Sequence, residues 1–277
     1  MRRALHPIGL LIAVTFLSVA AQSSVGHLVL AGGGSTPAVV FTRTLEMSGG
    51  RAAIVAVLPQ TYPNDSIGDA AVAMWQQFGA REVLKVSRTD PAAAYAALEK
   101  ATLIWMPGGF QGLLMKTIAG TAIPDQIRAR FAAGVTIGGA SAGAAAMSFT
   151  MIADETTPEG AGVDGPATGE GLGLWPEAIV SPHFSERRRM SPLKAIVGEH
   201  PDLIGVGIDE GTAAIVSGGE IEVVGRGTVV ILGSRSANSA AASSGSSNRE
   251  RTLRSGMHFR YGVPPRPPAM PPSAVRR

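Results

Sequence analysis

The sequence contains no cysteine and few aromatic residues, and these two gaps narrow what the protein can be. Without cysteine in 277 residues, a disulfide framework, a cysteine-ligated metal site and a cysteine nucleophile are all excluded. Aromatic residues make up only 5% of the chain. The 35 glycines and 19 prolines, with many aliphatic residues, instead suit an α/β protein with many tight turns.

No apolar run is long enough to span a membrane comfortably, and the first one has the features of an export signal. Arg2 and Arg3 are followed by a 13-residue run, residues 9–21, that ends in the letters VAA. A basic start, a short apolar run and small residues at its end are typical of a signal peptide. We therefore expect residues 1–21 to be cleaved and the protein to be secreted or periplasmic, without stable membrane association. An uncleaved anchor or a buried first helix is the alternative.

Basic charge is concentrated at the ends of the chain. The formal net charge is +3, yet the segment from Ser234 onward carries eight arginines and one glutamate. The middle of the chain is therefore acidic and lacks a basic face interleaved with aromatic residues, so nucleic acid is not an expected partner. We expect residues 234–248, rich in Ser, Ala and Gly, to be a flexible loop, and the Pro- and Arg-rich tail 263–277 to be disordered.

The chain between these ends alternates short apolar runs with helical patterns at intervals of 20 to 30 residues. The runs predicted to be strands are residues 27–31, 52–58, 82–86, 103–106 and 135–137. Because they are apolar throughout, both faces of their sheet must be covered. The pattern predicts an α/β fold, a three-layer sandwich with a mostly parallel central sheet, formed by one domain over residues 22–262.

Weaker patterns define the rest of the domain. Asp65-Ser66 and Asp90-Pro91 are expected to begin helices, with the aspartate as the cap. Residues 151–173 are expected to form a long loop. The segments 212–216, 221–224 and 228–232 predict a small terminal antiparallel meander, and residues 252–261 one further strand. The triglycine turn at residues 32–34 lacks the GxGxxG spacing of a dinucleotide site.

The stretch 134–147, GVTIGGASAGAAAM, combines a β-branched run, a glycine-rich turn and an alanine-rich segment. It predicts a strand, a tight turn and a helix. Within the turn, Gly139-x-Ser141-x-Gly143 matches the nucleophile elbow, in which small neighbours let a strained turn present a serine at the carboxyl end of a strand. Ser141 is therefore the candidate nucleophile, and an ordinary small-residue turn is the alternative.

A serine nucleophile needs a base to take its proton. Four histidines follow the predicted signal peptide. His27 lies at the amino end of the first strand, the wrong edge of a parallel sheet, while His200 lies at a predicted helix end and His258 in the C-terminal tail. His183 follows a short apolar segment, residues 178–180, and is the best placed base.

The acid that orients this base has two candidates. Asp209 and Glu210 both follow the apolar run 203–208. Because successive side chains of an extended chain point in opposite directions, one of them is expected to face the site while the other packs or caps. The spacing alone leaves open which one does so.

Four blocks of the sequence together resemble the cyanophycinase family of serine peptidases, peptidase family S51, whose members are related to dipeptidase E. They are GASAGA at 139–144, GLGLWP at 171–176, His183-Phe184, and GIDEGTA at 207–213. The resemblance covers residues 26–262 and implies a class I glutamine amidotransferase-like fold.

The same resemblance implies the roles of five residues. The family order of serine, histidine and glutamate carries over to Ser141, His183 and Glu210, which differs from the Ser–Asp/Glu–His order of α/β-hydrolases. The resemblance also implies an oxyanion hole formed by backbone amides near Gly109 and Ala142.

Substrate recognition is where the sequence departs from this family. The family's histidine block reads Asp-Gln-His-Phe, whereas Ser181-Pro182 stand before the histidine here. Phe110 takes the place of a family aspartate, and Pro192 that of an arginine. Loss of an aspartate from a pocket for cationic side chains is expected to weaken a preference for arginine.

Three positions still match the family's substrate-binding residues: Gln111, Arg187 and Arg189. The two arginines are suited to hold a substrate carboxylate. A solvated basic start of a helix is the alternative interpretation for them.

The sequence thus predicts a secreted serine exopeptidase that hydrolyses β-aspartyl (isopeptide) bonds or related acidic dipeptide units. A peptide or isopeptide substrate and a homodimer are the expected partners, and no metal or organic cofactor is implied. The alternatives are a binding protein that kept the fold without catalysis, and an exported esterase or amidase. The amidotransferase-like amidase is disfavoured because that chemistry uses a cysteine nucleophile, which this chain lacks.

Overall fold

The computed structural model describes residues 25–153, 168–233 and 250–261. The predicted signal peptide, the segment 234–248 and the tail 263–277 lie outside the described residues, as does most of the predicted loop 151–173. The helices within the described ranges are too short or too polar to cross a lipid bilayer.

The described chain contains fourteen strands and seven α-helices. The strands are β1 (Leu28–Ala31), β2 (Ile54–Val57), β3 (Glu82–Lys85), β4 (Leu103–Met106), β5 (Thr136–Ala140), β6 (Thr150–Ile152), β7 (Thr168–Glu170), β8 (Ala178–Pro182), β9 (Ile204–Ile208), β10 (Thr212–Ser217), β11 (Glu220–Gly225), β12 (Thr228–Leu232), β13 (Glu250–Arg254) and β14 (His258–Arg260). The helices are α1 (Ala38–Met47), α2 (Ser66–Gln77), α3 (Pro91–Lys100), α4 (Gln111–Ile118), α5 (Ile123–Ala132), α6 (Ala142–Ala145) and α7 (Met190–Glu199).

Eight strands form the central sheet in the order β14-β11-β10-β1-β5-β4-β2-β3. The five strands from β1 to β3 in this order pair in parallel, and β10, β11 and β14 extend the sheet antiparallel at one side. Since parallel strands place their carboxyl ends at one edge, the turns after β1, β2, β4 and β5 lie side by side. The predicted mostly parallel sheet is confirmed.

Helices cover both faces of this sheet, as the fully apolar strands predict. On one face, Phe41 of α1 and Trp75 of α2 pack against Val55 and Trp105. On the other face, α3, α4 and α5 pack against the side chains that alternate with these in the same strands, such as Ile104 of β4. Because successive side chains of a strand point to opposite faces, the central strands contribute to two separate apolar cores. The helices on the two faces and the sheet between them are the three layers.

The predicted terminal antiparallel strands are present, but they do not all lie in one sheet. β10 and β11 join the central sheet, whereas β12 leaves it and pairs with β9 in a second sheet of order β13-β12-β9-β8. The chain changes sheets at Gly225, whose φ of 125° is open to glycine but strained for other residues. The sequence pattern of a single strand cannot predict this change of sheet, because a buried strand has the same apolar pattern in either sheet.

Two further local predictions differ from the structure. Residues 252–261 form two strands instead of one, because Gly256 turns the chain with a φ of 79° and sends β13 to β12 but β14 to β11. Of the predicted long loop, the described ends form the paired strands β6 and β7.

One of the two predicted helix caps is confirmed. Asp90 accepts a hydrogen bond from the amide of Ala93 at 3.1 Å and caps α3. Asp65 precedes α2 but makes no such bond, because Lys85 and Arg88 both engage its carboxylate, at 2.8 and 2.6 Å. These two hydrogen-bonded cations also hold the pKa of Asp65 below its usual value.

Candidate active site

Ser141 lies in a strained turn between β5 and α6, at the carboxyl edge of the central sheet. Its φ of 52° and ψ of −113° are unusual for any residue other than glycine. The glycines on either side permit the turn: a Cβ on Gly143 would lie 2.6 Å from the carbonyl carbon of Met106, and one on Gly139 would lie 2.6 Å from that of Gly143. The strand, turn and helix predicted for this stretch are therefore present, and the turn has the geometry of a nucleophile elbow.

Three side chains form a hydrogen-bonded chain at this turn. The Oγ of Ser141 lies 2.7 Å from Nε2 of His183, and Nδ1 of His183 lies 2.6 Å from Oε1 of Glu210. A carboxylate on Nδ1 keeps the proton on that nitrogen and leaves the Nε2 lone pair facing the serine. The three residues come from separate parts of the sequence, and the structure brings all three together.

Strand pairing explains how His183 and Glu210 meet. β8 and β9 run parallel, with Pro182 opposite Ile208, so the residues that follow each strand emerge at the same edge. His183 has a φ of 49°, a left-handed conformation that turns the chain sharply after the strand. Its imidazole is buried, while Glu210 stays partly exposed.

Asp209, the other candidate acid, points away from the histidine and into the protein. Its carboxylate accepts hydrogen bonds from the amides of Ser185 and Thr228, at 3.1 and 2.9 Å, and from the Thr228 hydroxyl at 2.6 Å. Burial acts to raise the pKa of Asp209, but these hydrogen bonds outweigh it and leave the pKa below its usual value. The expectation that one acid faces the site and the other packs is confirmed, and Glu210 is the one that faces it.

The protonation of His183 is set mainly by its burial, which lowers its pKa from the ordinary value of 6.5. The hydrogen bond to Glu210 works in the opposite direction, and the positive charges of Arg187 and Arg189 add to the lowering. The net pKa lies below 6.5, so the imidazole is neutral at pH 7 and able to accept a proton.

The triglycine turn after β1 is a part of the site that the sequence patterns did not assign. A Cβ on Gly33, whose φ is 96°, would lie 2.6 Å from Nε2 of His183, and one on Gly34 would lie 2.7 Å from Cδ of Glu210. The carbonyl of Gly32 also accepts the His183 amide at 2.9 Å. These glycines leave the space that the histidine and glutamate occupy. Three glycines at the end of a buried strand were the available signal.

The segment Gly108-Gly109, after β4, passes beside the serine. A Cβ on Gly108 would lie 3.7 Å from Cβ of Ser141. Within the described residues, the amides of Gly109 and Ala142, the two predicted oxyanion donors, take no part in the backbone hydrogen bonds around the turn. The role of both amides stays a prediction.

Thr61 holds this segment in place and was also missed by the sequence patterns. Its carbonyl accepts the amide of Phe110 at 2.7 Å, and its hydroxyl donates to the carbonyl of Gly108 at 2.9 Å. A Cβ on Gly109 would lie 2.8 Å from the Thr61 carbonyl carbon, so the glycine allows the two chains to touch.

The three predicted substrate-binding residues have different surroundings. Gln111 is buried at the start of α4, and its Nε2 donates to the carbonyl of Ile152 at 3.0 Å. Arg187 is exposed, whereas Arg189 is buried at the start of α7. Both arginines are close enough to His183 to influence its pKa, and substrate binding by all three stays a prediction.

The other three histidines that the structure describes lie elsewhere. His27 and His258 line a cavity of about 420 Å³ at the opposite edge of the sheet, where β1 begins. His258 lies in β14, not in a C-terminal tail as expected, and pairs with Glu220 at 3.0 Å. His200 ends α7. Within the described ranges, no three His, Asp or Glu side chains are grouped so that they would hold a metal ion.

Proteins of similar sequence point to one family. The profile of peptidase family S51 matches residues 28–224. A protein named cyanophycinase from Geminocystis herdmanii is 38% identical over 204 residues, which cover 70% of this chain and 74% of that protein. A second cyanophycinase, from Thermosynechococcus vestitus, is 34% identical over 224 residues, 76% of this chain and 70% of that protein.

Solved structures agree on the fold. A peptidase from an acI-B1 actinobacterium superposes with a TM-score of 0.61 at 23% identity, over 86% of this chain and 98% of that one. A putative peptidase E protein from Listeria monocytogenes gives a TM-score of 0.56 at 19% identity, over 72% of this chain and 98% of that one. The α/β architecture is therefore shared with these peptidases. By its family match and its cyanophycinase relatives, the chain belongs to peptidase family S51 and is a serine peptidase.

Proposed function

We propose that this peptidase hydrolyses peptides built from β-aspartyl (isopeptide) units, in the manner of a cyanophycinase, with Ser141, His183 and Glu210 as its catalytic triad. The observation that carries the proposal is the unbroken hydrogen-bonded chain from the serine hydroxyl to the glutamate, 2.7 Å and 2.6 Å long in its two steps. Its position at the carboxyl edge of a parallel sheet is the usual place for a site in this architecture.

In the proposed reaction, Oγ of Ser141 attacks the scissile carbonyl carbon and its proton passes to Nε2 of His183. Glu210, on Nδ1, stabilises the imidazolium that forms. Collapse of the tetrahedral intermediate breaks the carbon–nitrogen bond, and His183 gives the proton to the departing amine. Water then attacks the acyl-enzyme with His183 again as base, which frees the acid and restores the serine.

The amides of Gly109 and Ala142 are proposed to bind the oxygen that becomes negative in each tetrahedral intermediate. Thr61 supports this role because it fixes the segment on both sides of Gly109. Donors that are already held in place need no reorganisation when charge develops, and loss of one such donor typically costs about 10²–10³ in rate.

The substrate class rests on the relatives named cyanophycinase and on the basic residues beside the histidine. Arg187 and Arg189 act electrostatically on His183, so a carboxylate of the substrate at the same place meets positive charge. A β-aspartyl dipeptide supplies such a group as its free aspartyl α-carboxylate, and a polymer unit supplies one from the amino acid linked to its β-carboxyl group.

Export completes the proposal. The basic start and the apolar run 9–21 favour a signal peptide, cleavage of which gives a secreted or periplasmic enzyme that begins near Gln22. Expression of the full chain in a bacterial host, followed by N-terminal sequencing of the protein from the periplasm and medium, tests this part. Full-length protein that stays with the cells would contradict it.

The test of the activity is the release of products from cyanophycin and from β-aspartyl dipeptides by wild type, Ser141→Ala and Ser217→Ala. Ser217 lies at the opposite edge of the sheet, so its variant controls for the loss of a hydroxyl. Turnover by wild type and Ser217→Ala but not by Ser141→Ala supports the proposal. Equal turnover by all three refutes the assigned nucleophile. No turnover by the folded wild type, with no hydrolysis of simple esters either, favours the alternative of a binding protein, and ester hydrolysis alone favours an esterase.

A further inference from the structure

Tyr62 and Phe110 form a stacked aromatic pair, and Phe110 directly follows the Gly108-Gly109 segment that passes the candidate nucleophile. Their ring centroids are 5.8 Å apart and their planes differ by 18°. Both residues are only partly buried, and neither belongs to the apolar cores that the described helices and strands form. Packing of the fold therefore does not account for this pair.

The order of the strands places the pair on the side of Ser141 that is away from the histidine. β4 is the next strand after β5 on one side, and β2 follows it. Phe110 comes directly after the Gly108-Gly109 segment that passes Ser141, and Tyr62 follows the turn after β2. His183 and Glu210 contact the turn after β1, the neighbour of β5 on the other side.

The backbone under both rings is held firmly. The amide of Phe110 donates to the Thr61 carbonyl at 2.7 Å. The guanidinium of Arg88 donates to the Tyr62 carbonyl at 2.7 Å and to the Asn64 carbonyl at 3.1 Å, and it also binds the carbonyl of Pro59. A surface fixed before the substrate arrives loses little conformational freedom on binding.

Phe110 is also an unusual residue for its position. It is the N-cap of α4 and offers no side-chain hydrogen bond to the helix, whereas Ser, Thr, Asp and Asn are preferred at such positions. The acidic side chain nearest in sequence to the pair, Asp65, is already engaged by Lys85 and Arg88. Within the described residues, the contact that defines this surface is thus between two aromatic rings.

We propose that Tyr62 and Phe110 form an apolar subsite for the part of the substrate attached to the carbonyl side of the scissile bond. This proposal rests on the proposed function. His183 must protonate the departing amine, so the leaving group lies on the histidine side and the remaining substituent of the carbonyl lies opposite, towards the pair. The enzyme then favours aspartyl units that carry leucine or phenylalanine over units that carry arginine.

The test uses aspartyl p-nitroanilides. One carboxyl group of the aspartyl unit carries the p-nitroanilide, and the other is amide-linked to an amino acid X. Both isomers are made, with the anilide on the α- or on the β-carboxyl group. X is leucine, phenylalanine, arginine or citrulline, the last being a neutral isostere of arginine. The expected kcat/KM for leucine and phenylalanine exceeds that for arginine and citrulline by about tenfold or more, the scale on which apolar pockets discriminate. Phe110→Ala and Tyr62→Ala should each remove most of this preference, while Phe149→Ala, which removes an exposed ring that is not part of the pair, should keep it.

Two results would overturn the subsite. One is a preference for arginine above citrulline and leucine, which would mean that the rings act as a cation–π surface. The other is a uniform loss of kcat/KM for every X in Phe110→Ala. Calorimetric binding of the aspartyl-X compounds without the anilide to Ser141→Ala measures the same preference without catalysis, and equal affinities would also overturn it. If hydrolysis fails but leucine and phenylalanine compounds bind more tightly, the proposed reaction is wrong and the subsite stands.

Discussion

Substitution of Gly33 by alanine should disable the site without unfolding the protein. A Cβ at this position would lie 2.4 Å from Cε1 and 2.6 Å from Nε2 of His183, whereas ordinary contacts begin at 3.4 Å. The imidazole must therefore move by about 1 Å, which disturbs the 2.7 Å contact between its Nε2 and the serine hydroxyl. A displacement near 1 Å in a catalytic group typically costs about 10²-fold in rate, so we expect kcat to fall between about 10- and 100-fold.

The same substitution also places alanine at a φ of 96°, which costs about 1–2 kcal/mol of folding free energy. Gly79→Ala is the matched control, because Gly79 has a φ of 88° and a Cβ added there would meet nothing within 4 Å. In urea unfolding, Gly79→Ala should show the stability loss from backbone strain alone and Gly33→Ala at least as large a loss, because its Cβ also clashes. Only Gly33→Ala should lose activity on a β-aspartyl substrate. Wild-type kcat in a folded Gly33→Ala, or an equal loss of kcat in Gly79→Ala, would refute the reasoning.

Three further predictions concern the electrostatics of the site and the contacts of its loops. Arg187→Gln removes a charge that lowers the pKa of His183, so the acid limb of the kcat/KM profile should move to higher pH, because the base becomes protonated sooner; an unmoved limb would contradict this. Thr61→Val removes the hydroxyl that holds Gly108 and should lower kcat roughly tenfold with little change in KM. Thr61→Ser keeps a hydroxyl and should have a kcat close to that of the wild type. A raised KM with an unchanged kcat in Thr61→Val would instead indicate a contact with the substrate. Asp209→Asn weakens the hydrogen bonds that the carboxylate accepts and should lower the free energy of unfolding, measured in urea, by about 2 kcal/mol. Since the pKa of Asp209 is depressed in the folded state, the stability that Asp209 contributes is present above pH 3.8. This stability is lost as the pH falls through the folded-state pKa. A free energy of unfolding of the wild type that does not change over this pH range would contradict the prediction.

The features that the sequence predicted correctly are those that local patterns encode. Ser141 stands between glycines whose spacing is dictated by the turn itself, and the continuous apolar strands reveal that both faces of the sheet are covered. For Asp209 and Glu210, the alternation of side chains along an extended chain was enough to predict that one faces the site and the other packs. Helix α3 could be placed by Asp90-Pro91 for the same local reason.

The features that the sequence did not predict depend on partners distant along the chain. The exchange of β12 into a second sheet follows from pairing with β9, which no local pattern records. The triglycine turn matters because His183 and Glu210 happen to occupy the space beside it, and Thr61 matters because it meets Gly108 across the fold. The Asp65 cap failed because two cations from other elements compete for its carboxylate. Such contacts are decided by tertiary structure and not by propensity.

The central claim is that Ser141 is a nucleophile activated by His183, and covalent labelling tests it most directly. Wild-type protein is treated with a fluorophosphonate probe, digested, and the modified residue located by mass spectrometry. The expected result is one adduct, on Ser141, formed far more slowly in the folded His183→Ala variant because the base is absent. An adduct on another serine, or labelling of Ser141 that does not depend on His183, would contradict the account.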